Sequence, residues 1–207
     1  MYNPPHFTST DLGWVDWLAE HHPFGTLISQ ADGAPFVSHL PVLYQRTGDQ
    51  VTLTGHWARQ NPQWHDIENQ RVLFMFQGPH AYVSPRWYAD TQKQVPTWNY
   101  VTAHVYGKIR LVEPGEELEN IVVRLSEKFE SGAAAPWSLA GSDPANRSRL
   151  KAIVGFELRA DALQIKLKLN QNHTVANVSG VIAGLRGTGS AEDAAVAALM
   201  QKELERR

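Results

Sequence analysis

The sequence predicts an α+β protein, mainly β, in which an antiparallel β-barrel carries helices at its ends. Several short segments alternate apolar and polar side chains, and turn-forming residues separate them at intervals of about 8–12 residues. Runs with helical spacing lie near the start, in the middle and at the end of the chain. A mainly antiparallel barrel with peripheral helices accounts for this order of elements.

The first half of the chain predicts one helix followed by a series of strands. Trp14 and Leu18 share one helical face, and Pro23 ends that helix. The turn signal Gly48-Asp49 lies between extended runs and predicts a hairpin. The predicted elements are a helix over residues 10–22, strands over 24–30, 35–44, 51–56 and 72–76, and a short helical turn over 61–64.

The second half predicts a long strand, an amphipathic helix and a helical end. Leu118, Ile121 and Leu125 recur at helical spacing with charged residues on the opposite face. Leu163 and Ile165 begin an alternating run that predicts the second of two paired strands. The predicted elements are a strand over 101–112, a helix over 118–129, a small-residue loop over 132–144, a strand pair over 153–169, and helices over about 174–186 and 191–205.

The composition excludes several function classes. The chain has 207 residues with 19 basic and 21 acidic side chains, and its net charge of −2 argues against non-specific binding to nucleic acid or anionic membranes. Cysteine is absent, which excludes disulfides and thiolate chemistry and predicts a cytoplasmic protein. No apolar run approaches the roughly 20 residues of a membrane span, and the first residues do not resemble a secretory leader.

The segment GHWARQNP, residues 55–62, gives the strongest local indication of a ligand site. A strand ends here and a short helix begins, so we expect backbone N–H groups to point outward at an anion-friendly helix start. Arg59 adds a permanent cation whose planar donors suit a phosphate. A surface ion pair of Arg59 beside an Asn-Pro turn is the alternative, and the spacing alone leaves both open.

Two segments rich in aromatic residues, 76–88 and 95–100, favour a flat ligand. Gly78, Pro79 and Pro85 fix the path of a predicted loop in the first segment. Its aromatic and hydroxyl groups can offer flat faces and hydrogen bonds to a ring system. Buried aromatic residues that merely stabilise the loop are the alternative.

No metal site and no catalytic residue are predicted. His39, His56 and His104 lie on predicted strands or strand ends and could converge, but the carboxylate partners of a typical metal site are lacking. The sequence contains no GxSxG elbow, no Walker loop and no GxGxxG after a strand. The GLRGTG run at 184–189 lies between predicted helices and indicates a turn.

The segment KLKLNQN, residues 166–172, combines two lysines with a run of amides. The period of two places Lys166 and Lys168 on one face of a strand that ends in amide side chains. A polar ligand contact is one interpretation. A solvated edge strand protected by lysine is the other.

Together these segments resemble the PaiB family of FMN-binding negative transcriptional regulators. In chain order the matching blocks are MYNPPHF at 1–7, SHLP at 38–41, GHWARQNPQ at 55–63, FQGPHAYVSP at 76–85, VPTWNY at 95–100 and KLKLNQN at 166–172. The resemblance implies an FMN-binding split β-barrel over residues 1–172. A helical extension of the same domain follows over 173–207, and residues beyond 175 match the family weakly.

The resemblance also implies FMN as the cofactor, held at the interface of a homodimer. Arg59 and the amides near Asn61 would take the phosphate, aromatic faces the isoalloxazine ring, and Ser, Thr and Asn groups its polar edge. The implied cofactor-binding residues are Ser38, His39, Leu40, Pro41, His56, Arg59, Asn61, Trp87, Tyr88, Thr97, Trp98, Asn99, Lys168 and Gln171.

Three functions fit this resemblance. The first is an FMN-binding regulator that represses genes, and the second is an FMN-dependent oxidoreductase or a haem-degrading relative. A structural module whose flavin site has decayed is the third.

The predicted last helix begins with Glu192 and Asp193, which suit the helix dipole but repel DNA phosphates. Direct DNA binding by this helix is therefore not expected, and regulation would be indirect.

Overall fold

The structure, a computed structural model, describes residues 1–139 and 141–206. Contacts between Cα atoms divide the chain into two compact units, which are described separately. Unit 1 comprises residues 1–11, 77–103 and the chain from Gln164 onward. Unit 2 comprises residues 12–76 and 104–163.

The strands form one antiparallel sheet. They are β1 Thr8–Ser9, β2 Phe24–Ala31, β3 Ala34–Pro41, β4 Leu43–Thr47, β5 Gln50–Ala58, β6 Arg71–Val83, β7 Thr97–Val112 and β8 Ile153–Lys168. Their order across the sheet is β3-β2-β6-β7-β8-β5-β4, and β1 pairs with β8. The three longest strands, β6, β7 and β8, each contribute residues to both units.

Several helices accompany the sheet. They are α1 Gly13–His21, α2 Glu116–Glu130, α3 Ala145–Ser148, α4 Val175–Arg186 and α5 Ala191–Leu204, with 3-10 turns that include Pro62–Trp64 and Pro85–Trp87. Within the described ranges, no helix has both the length and the apolar character needed to cross a membrane. The predicted α+β class, mainly antiparallel sheet with several helices, is confirmed.

The prediction of a loop over residues 76–88 is wrong for its first part, because β6 continues to Val83. Buried and less buried side chains alternate on both sides of Gly78 and Pro79, where the pattern shifts by one residue, so Ala81 and Val83 are buried while Tyr82 is exposed. Pro79 is compatible with the strand because β2 pairs with β6 only as far as Met75. Beyond that point a missing N–H removes no bond to β2.

The predicted strand pair over 153–169 is a single strand, β8. Residues 159–163 contain no glycine or proline, and Asp161, the one turn-prone residue among them, pairs with Arg71 instead of forming a turn. Neighbouring β7 comes very close here, since a Cβ atom at Gly107 would lie 2.1 Å from the carbonyl oxygen of Arg159. Only glycine permits this approach of the two backbones.

The core of unit 2 combines large aromatic side chains with one buried amide. Trp57, Phe74 and Phe156 are almost fully buried, and the ring centroids of Trp57 and Phe156 lie 4.6 Å apart. The indole N–H of Trp57 donates to Oε1 of Gln63 over 3.1 Å. The Nε2 group of Gln63 donates to acceptors on β2 and β3, which satisfies polar groups that burial would otherwise leave unpaired.

The helical part of unit 1 is held against the segment that follows β6. Trp87 lies on α4, where a Cβ atom at Gly184 would come within 2.3 Å of the indole ring. The side-chain oxygen of Asn177 accepts a bond from the N–H of Ala89 over 3.0 Å. The buried face of α4 and α5 consists of Val178, Val181, Ile182, Leu185, Val196, Ala197, Leu199 and Met200.

We expect Gly184→Ala to destabilise unit 1, although alanine is the better helix former. The new methyl group would displace the Trp87 ring, and overpacking of this kind costs about 1–3 kcal/mol. Helix propensity returns at most about 1 kcal/mol, so urea unfolding followed by circular dichroism should show a net loss. Gly187→Ala is the matched control, because its Cβ atom would meet nothing closer than 3.4 Å. Equal stability of Gly184→Ala and wild type would contradict this packing.

Candidate functional site

The residues predicted to form a ligand site fall into two groups, one in each unit. Unit 2 holds Ser38, His39, Leu40, Pro41, His56, Arg59 and Asn61, and unit 1 holds Trp87, Tyr88, Thr97, Trp98, Asn99, Lys168 and Gln171. Each group is described by itself.

Ser38, in β3, and Asn61, which follows the end of β5, lie in contact. Asn61 caps the 3-10 turn Pro62–Trp64, and its Oδ1 accepts the N–H of Gln63 over 3.0 Å. Its Nδ2 donates to the hydroxyl oxygen of buried Ser38 over 2.8 Å. The asparagine–proline pair thus starts the turn and ties it to β3.

Arg59 bonds mainly to the backbone that precedes β8. Its Nε donates to the carbonyl oxygen of Lys151 over 2.9 Å, and Nη2 donates to that of Ile153 over 3.2 Å. Nη2 also lies 3.1 Å from Oε2 of Glu113, which gives the ion pair that was one of the two sequence interpretations. The guanidinium is about one-third exposed, so it is oriented without being removed from solvent.

Three of the backbone N–H groups near Asn61 do not point outward to a ligand. The N–H of Arg59 donates to the carbonyl oxygen of Ala152 over 2.8 Å, that of Asn61 donates to the carbonyl oxygen of Ala58 over 2.9 Å, and that of Gln63 donates to Oδ1 of Asn61. These donors are not available to an anion, whereas the Arg59 side chain is about one-third exposed. A pocket of about 390 Å³ adjoins this side chain, lined by Ala58, Arg59, Gln60 and Ala152.

His56 lines a separate pocket of about 250 Å³ in unit 2. Its lining residues are His56, Val122, Trp137, Leu139, Asn146, Arg149, Leu150 and Ile153. The Nδ1 atom of His56 is buried and has no hydrogen-bond partner among the described residues. Burial lowers the pKa of His56, so the ring is neutral at pH 7.

The other histidines considered as ligands do not join His56. His39 is exposed on β3, where its Nδ1 lies 3.2 Å from the hydroxyl of Thr26. His104 lies on β7 with its Nδ1 3.3 Å from the hydroxyl of Tyr106. Within the described part of the chain, no three His, Asp or Glu side chains are grouped closely enough to hold a metal ion. Leu40 and Pro41 are half-buried at the end of β3.

In unit 1, Tyr88, Thr97 and Lys168 line one pocket of about 230 Å³, together with Phe7, Gln94, Val95, Asn170, Asn172 and His173. The ammonium of Lys168 donates to the hydroxyl of Thr97. Nδ2 of Asn170 donates to the hydroxyl oxygen of Tyr88 over 2.7 Å. Burial, with a smaller contribution from Lys166, lowers the pKa of Lys168. The pocket therefore combines a partly desolvated cation with amide and hydroxyl groups.

Six residues of this pocket are not among the predicted site residues, namely Phe7, Gln94, Val95, Asn170, Asn172 and His173. Asn170 lies two residues after β8 and adopts a φ of 64°, a conformation in which asparagine is several-fold enriched, so an asparagine after the strand was the available sequence signal. Phe7 reaches the pocket only through the pairing of β1 with β8, which no local pattern reveals.

The remaining predicted residues of unit 1 lie outside this pocket. Trp98 is 53% exposed and makes an edge contact with Tyr82, with ring centroids 6.0 Å apart. Asn99 is buried and its Nδ2 lies 3.3 Å from Sδ of Met200. Gln171 closes the turn after β8 through a bond to the carbonyl oxygen of Leu167.

Lys166 does not protect a solvated edge strand. Its side chain is buried, its ammonium donates to the carbonyl oxygen of Tyr2 over 2.9 Å, and it lies 5.3 Å from the ring centroid of Tyr100. In the sheet β8 is an interior strand between β7 and β5. The edge-strand interpretation is therefore wrong.

The fold is that of the split-barrel proteins, since two solved structures superpose on most of the chain. The FAD and haem binding protein from Mycobacterium smegmatis superposes with a TM-score of 0.60 at 18% identity, over 86% of this chain and 80% of that chain. Flavocytochrome Anf3 from Azotobacter vinelandii superposes with a TM-score of 0.56 at 17% identity, over 78% of this chain and 69% of that chain. At these identities the likeness concerns the fold alone.

Sequence comparison identifies the family. Residues 1–162 match the family described as "Putative FMN-binding domain". The Protease synthase and sporulation protein PAI 2 of Bacillus subtilis is 36% identical over 210 residues, which cover all of both chains. The chain belongs to this family of FMN-binding-domain proteins, and the resemblance seen in the sequence is confirmed.

We expect an acid-dependent loss of stability from His56. Because its pKa in the folded protein lies below the ordinary 6.5, its contribution to the free energy of unfolding is complete above that value and is lost as the pH falls through the lowered pKa. The Hε1 proton resonance should titrate with a midpoint below 6.5, and urea unfolding at lower pH should lose less free energy in His56→Gln than in wild type. A midpoint at or above 6.5 would show that the ring is not desolvated.

Proposed function

We propose that this chain binds FMN as a homodimer and acts in the cytoplasm as a negative transcriptional regulator. Its membership of an FMN-binding family over residues 1–162 is the observation that carries the proposal. The described residues suit the chemistry of FMN, since they offer an oriented cation in unit 2 and a polar pocket with aromatic neighbours in unit 1. When bound, FMN supplies a redox-active ring, and the protein residues bind and orient it.

In unit 2 we assign the FMN phosphate to Arg59. The carbonyl oxygens of Lys151 and Ile153 hold the guanidinium in place before any ligand arrives. Its counter-ion Glu113 is 64% exposed, and such surface pairs contribute only about 0–1 kcal/mol. A phosphate dianion can therefore replace Glu113 at Nη2 with little penalty. Ser38 and Asn61 act mainly by fixing the adjoining turn.

In unit 1 we propose that Tyr88, Thr97 and Lys168 form hydrogen bonds with the polar groups of FMN. These side chains already meet in one pocket, where Lys168 is partly desolvated. The pocket of about 230 Å³ is smaller than the roughly 300–1,000 Å³ of typical cofactor sites. A second copy of the chain that closes over it would supply the missing walls.

The regulatory role is supported by the full-length relative whose name refers to protease synthesis and sporulation. Helix α5 is a poor match for a DNA groove, because its apolar face is buried and its first turn carries Glu192 and Asp193. Glu192 accepts the N–H of His80 over 2.9 Å, so this acidic turn is held against β6. On this proposal the protein represses without placing α5 in a DNA groove.

Arg59→Ala should weaken FMN binding by roughly 30-fold or more, because truncating one partner of a close charge pair typically costs about 2–5 kcal/mol. Riboflavin lacks the phosphate and should lose much less affinity. The measurement is a titration of flavin fluorescence with the flavin-free protein, carried out separately with FMN and with riboflavin.

Two variants control this test. Glu113→Gln removes the counter-ion but keeps Arg59, so FMN affinity should stay equal or increase. Lys168→Met should weaken FMN and riboflavin alike, since its assigned partner is not the phosphate. Equal losses for the two flavins in Arg59→Ala would assign Arg59 to the fold, and no flavin binding by wild type would overturn the proposed function.

The homodimer should use the exposed apolar side chains of unit 1. Tyr82, Val95 and Trp98 are 46%, 75% and 53% exposed, which is unfavourable for a monomer and typical of an interface. Light scattering at micromolar concentration should give the mass of two chains, and Trp98→Glu should shift it toward one chain. If the wild-type protein has the mass of one chain, the predicted homodimer is wrong.

A further inference from the structure

We propose that the pocket beside His56 is a second binding site, which takes a small planar aromatic carboxylate carrying a hydroxyl or ring N–H. The site goes beyond flavin binding, although it contains His56, which the family resemblance implied as a cofactor-binding residue. It lies in unit 2, where β5, α2, α3 and the start of β8 contribute the lining.

The walls of the pocket are mostly apolar. Val122, Leu139, Leu150 and Ile153 line it, and the indole of Trp137 lies at the same pocket with 46% of its surface exposed. A large aromatic ring left this exposed is available to stack on a flat ligand. A cavity of about 150 Å³ accommodates benzene, so about 250 Å³ suits a substituted ring or a fused pair.

Three polar side chains of the pocket have hydrogen-bonding groups without a partner among the described residues. His56 presents a buried Nδ1 atom that no described residue satisfies. The side chains of Asn146 and Arg149 make no hydrogen bond or ion pair with any residue of the described ranges. Buried polar atoms are normally satisfied, so the unsatisfied Nδ1 indicates a missing partner.

Arg149 differs from four other arginines of unit 2, because it pairs with no carboxylate of the described residues. Arg46, Arg71, Arg110 and Arg147 each pair with a carboxylate of the protein. Arg149 instead is exposed at the edge of a mostly apolar pocket, and its side chain bonds to no residue of the described ranges. A guanidinium fork in this setting matches a ligand carboxylate in bidentate geometry.

The polar groups fix the chemical class of the ligand. The carboxylate pairs with Arg149, the ring stacks on Trp137, and the hydroxyl or N–H meets His56 Nδ1. Since burial favours the neutral imidazole, His56 requires an uncharged hydrogen-bonding group rather than a second anion. A polyphosphate or a simple inorganic anion would leave the apolar walls unused.

The probe for the test is 6-hydroxy-2-naphthoate, titrated calorimetrically into flavin-free protein and into protein loaded with FMN. We expect saturable binding to both. Arg149→Gln should weaken the probe roughly tenfold or more, while 2-naphthol, which lacks the carboxylate, should be unaffected. Arg124→Gln is the matched control, because Arg124 is an exposed arginine of α2 outside the pocket.

A second readout uses the wild-type protein and so does not depend on any variant folding. Binding of 6-hydroxy-2-naphthoate should move the His56 Hε1 resonance, and 2-naphthoate, which lacks the hydroxyl, should move it less. No saturable binding, equal losses in Arg149→Gln and Arg124→Gln, or full displacement of the probe by FMN would each overturn the second site. A protein that binds the probe but no flavin would overturn only the proposed function.

Discussion

The Gln63 carboxamide is the interaction on which unit 2 depends. It accepts the indole N–H of Trp57 on β5 and donates to groups on β2 and β3, so one buried side chain satisfies polar atoms of three strands. Loss of the amide would leave several of these unpaired at about 1–3 kcal/mol each. The backbone N–H of Gln63 donates to Oδ1 of Asn61, and Nδ2 of Asn61 donates to the hydroxyl oxygen of Ser38, so these bonds fix the position of Gln63. The geometry around Arg59 therefore rests on a buried amide rather than on the sheet alone.

Much of the fold was predictable because side-chain period reports secondary structure directly. The helices around Leu118 and the last two helices follow this rule, as does the hairpin at Gly48. The failures at residues 76–83 and 153–168 have one cause. Turn-prone residues and strand length were judged locally, whereas the partner strands decide whether Pro79 is tolerated and whether β8 continues.

The site was predictable only as far as residue types in motifs can show. The resemblance selected Tyr88, Thr97 and Lys168, which the structure brings to one pocket. The resemblance could not show that the Trp87 ring packs on Gly184 of α4. Nor could it show that Gln171 bonds to the backbone of the turn in which it lies. Both outcomes depend on where a side chain finds its partner after folding. Burial and hydrogen-bond satisfaction, which are tertiary properties, separate a binding group from a structural one.

Arg59 and Arg149, which both adjoin pockets of unit 2, show how a slightly acidic chain can select anions. With a net charge of −2, no long-range field attracts polyanions, so recognition must be local. Arg59 is oriented by backbone carbonyls and neutralised by an exposed Glu113, which a dianionic phosphate can displace. Arg149 has no counter-ion among the described residues and borders apolar walls, which favours a monoanion attached to a ring. Because each cation is matched to its surroundings, the two sites differ in the shape and charge they accept, and neither favours the extended backbone of DNA.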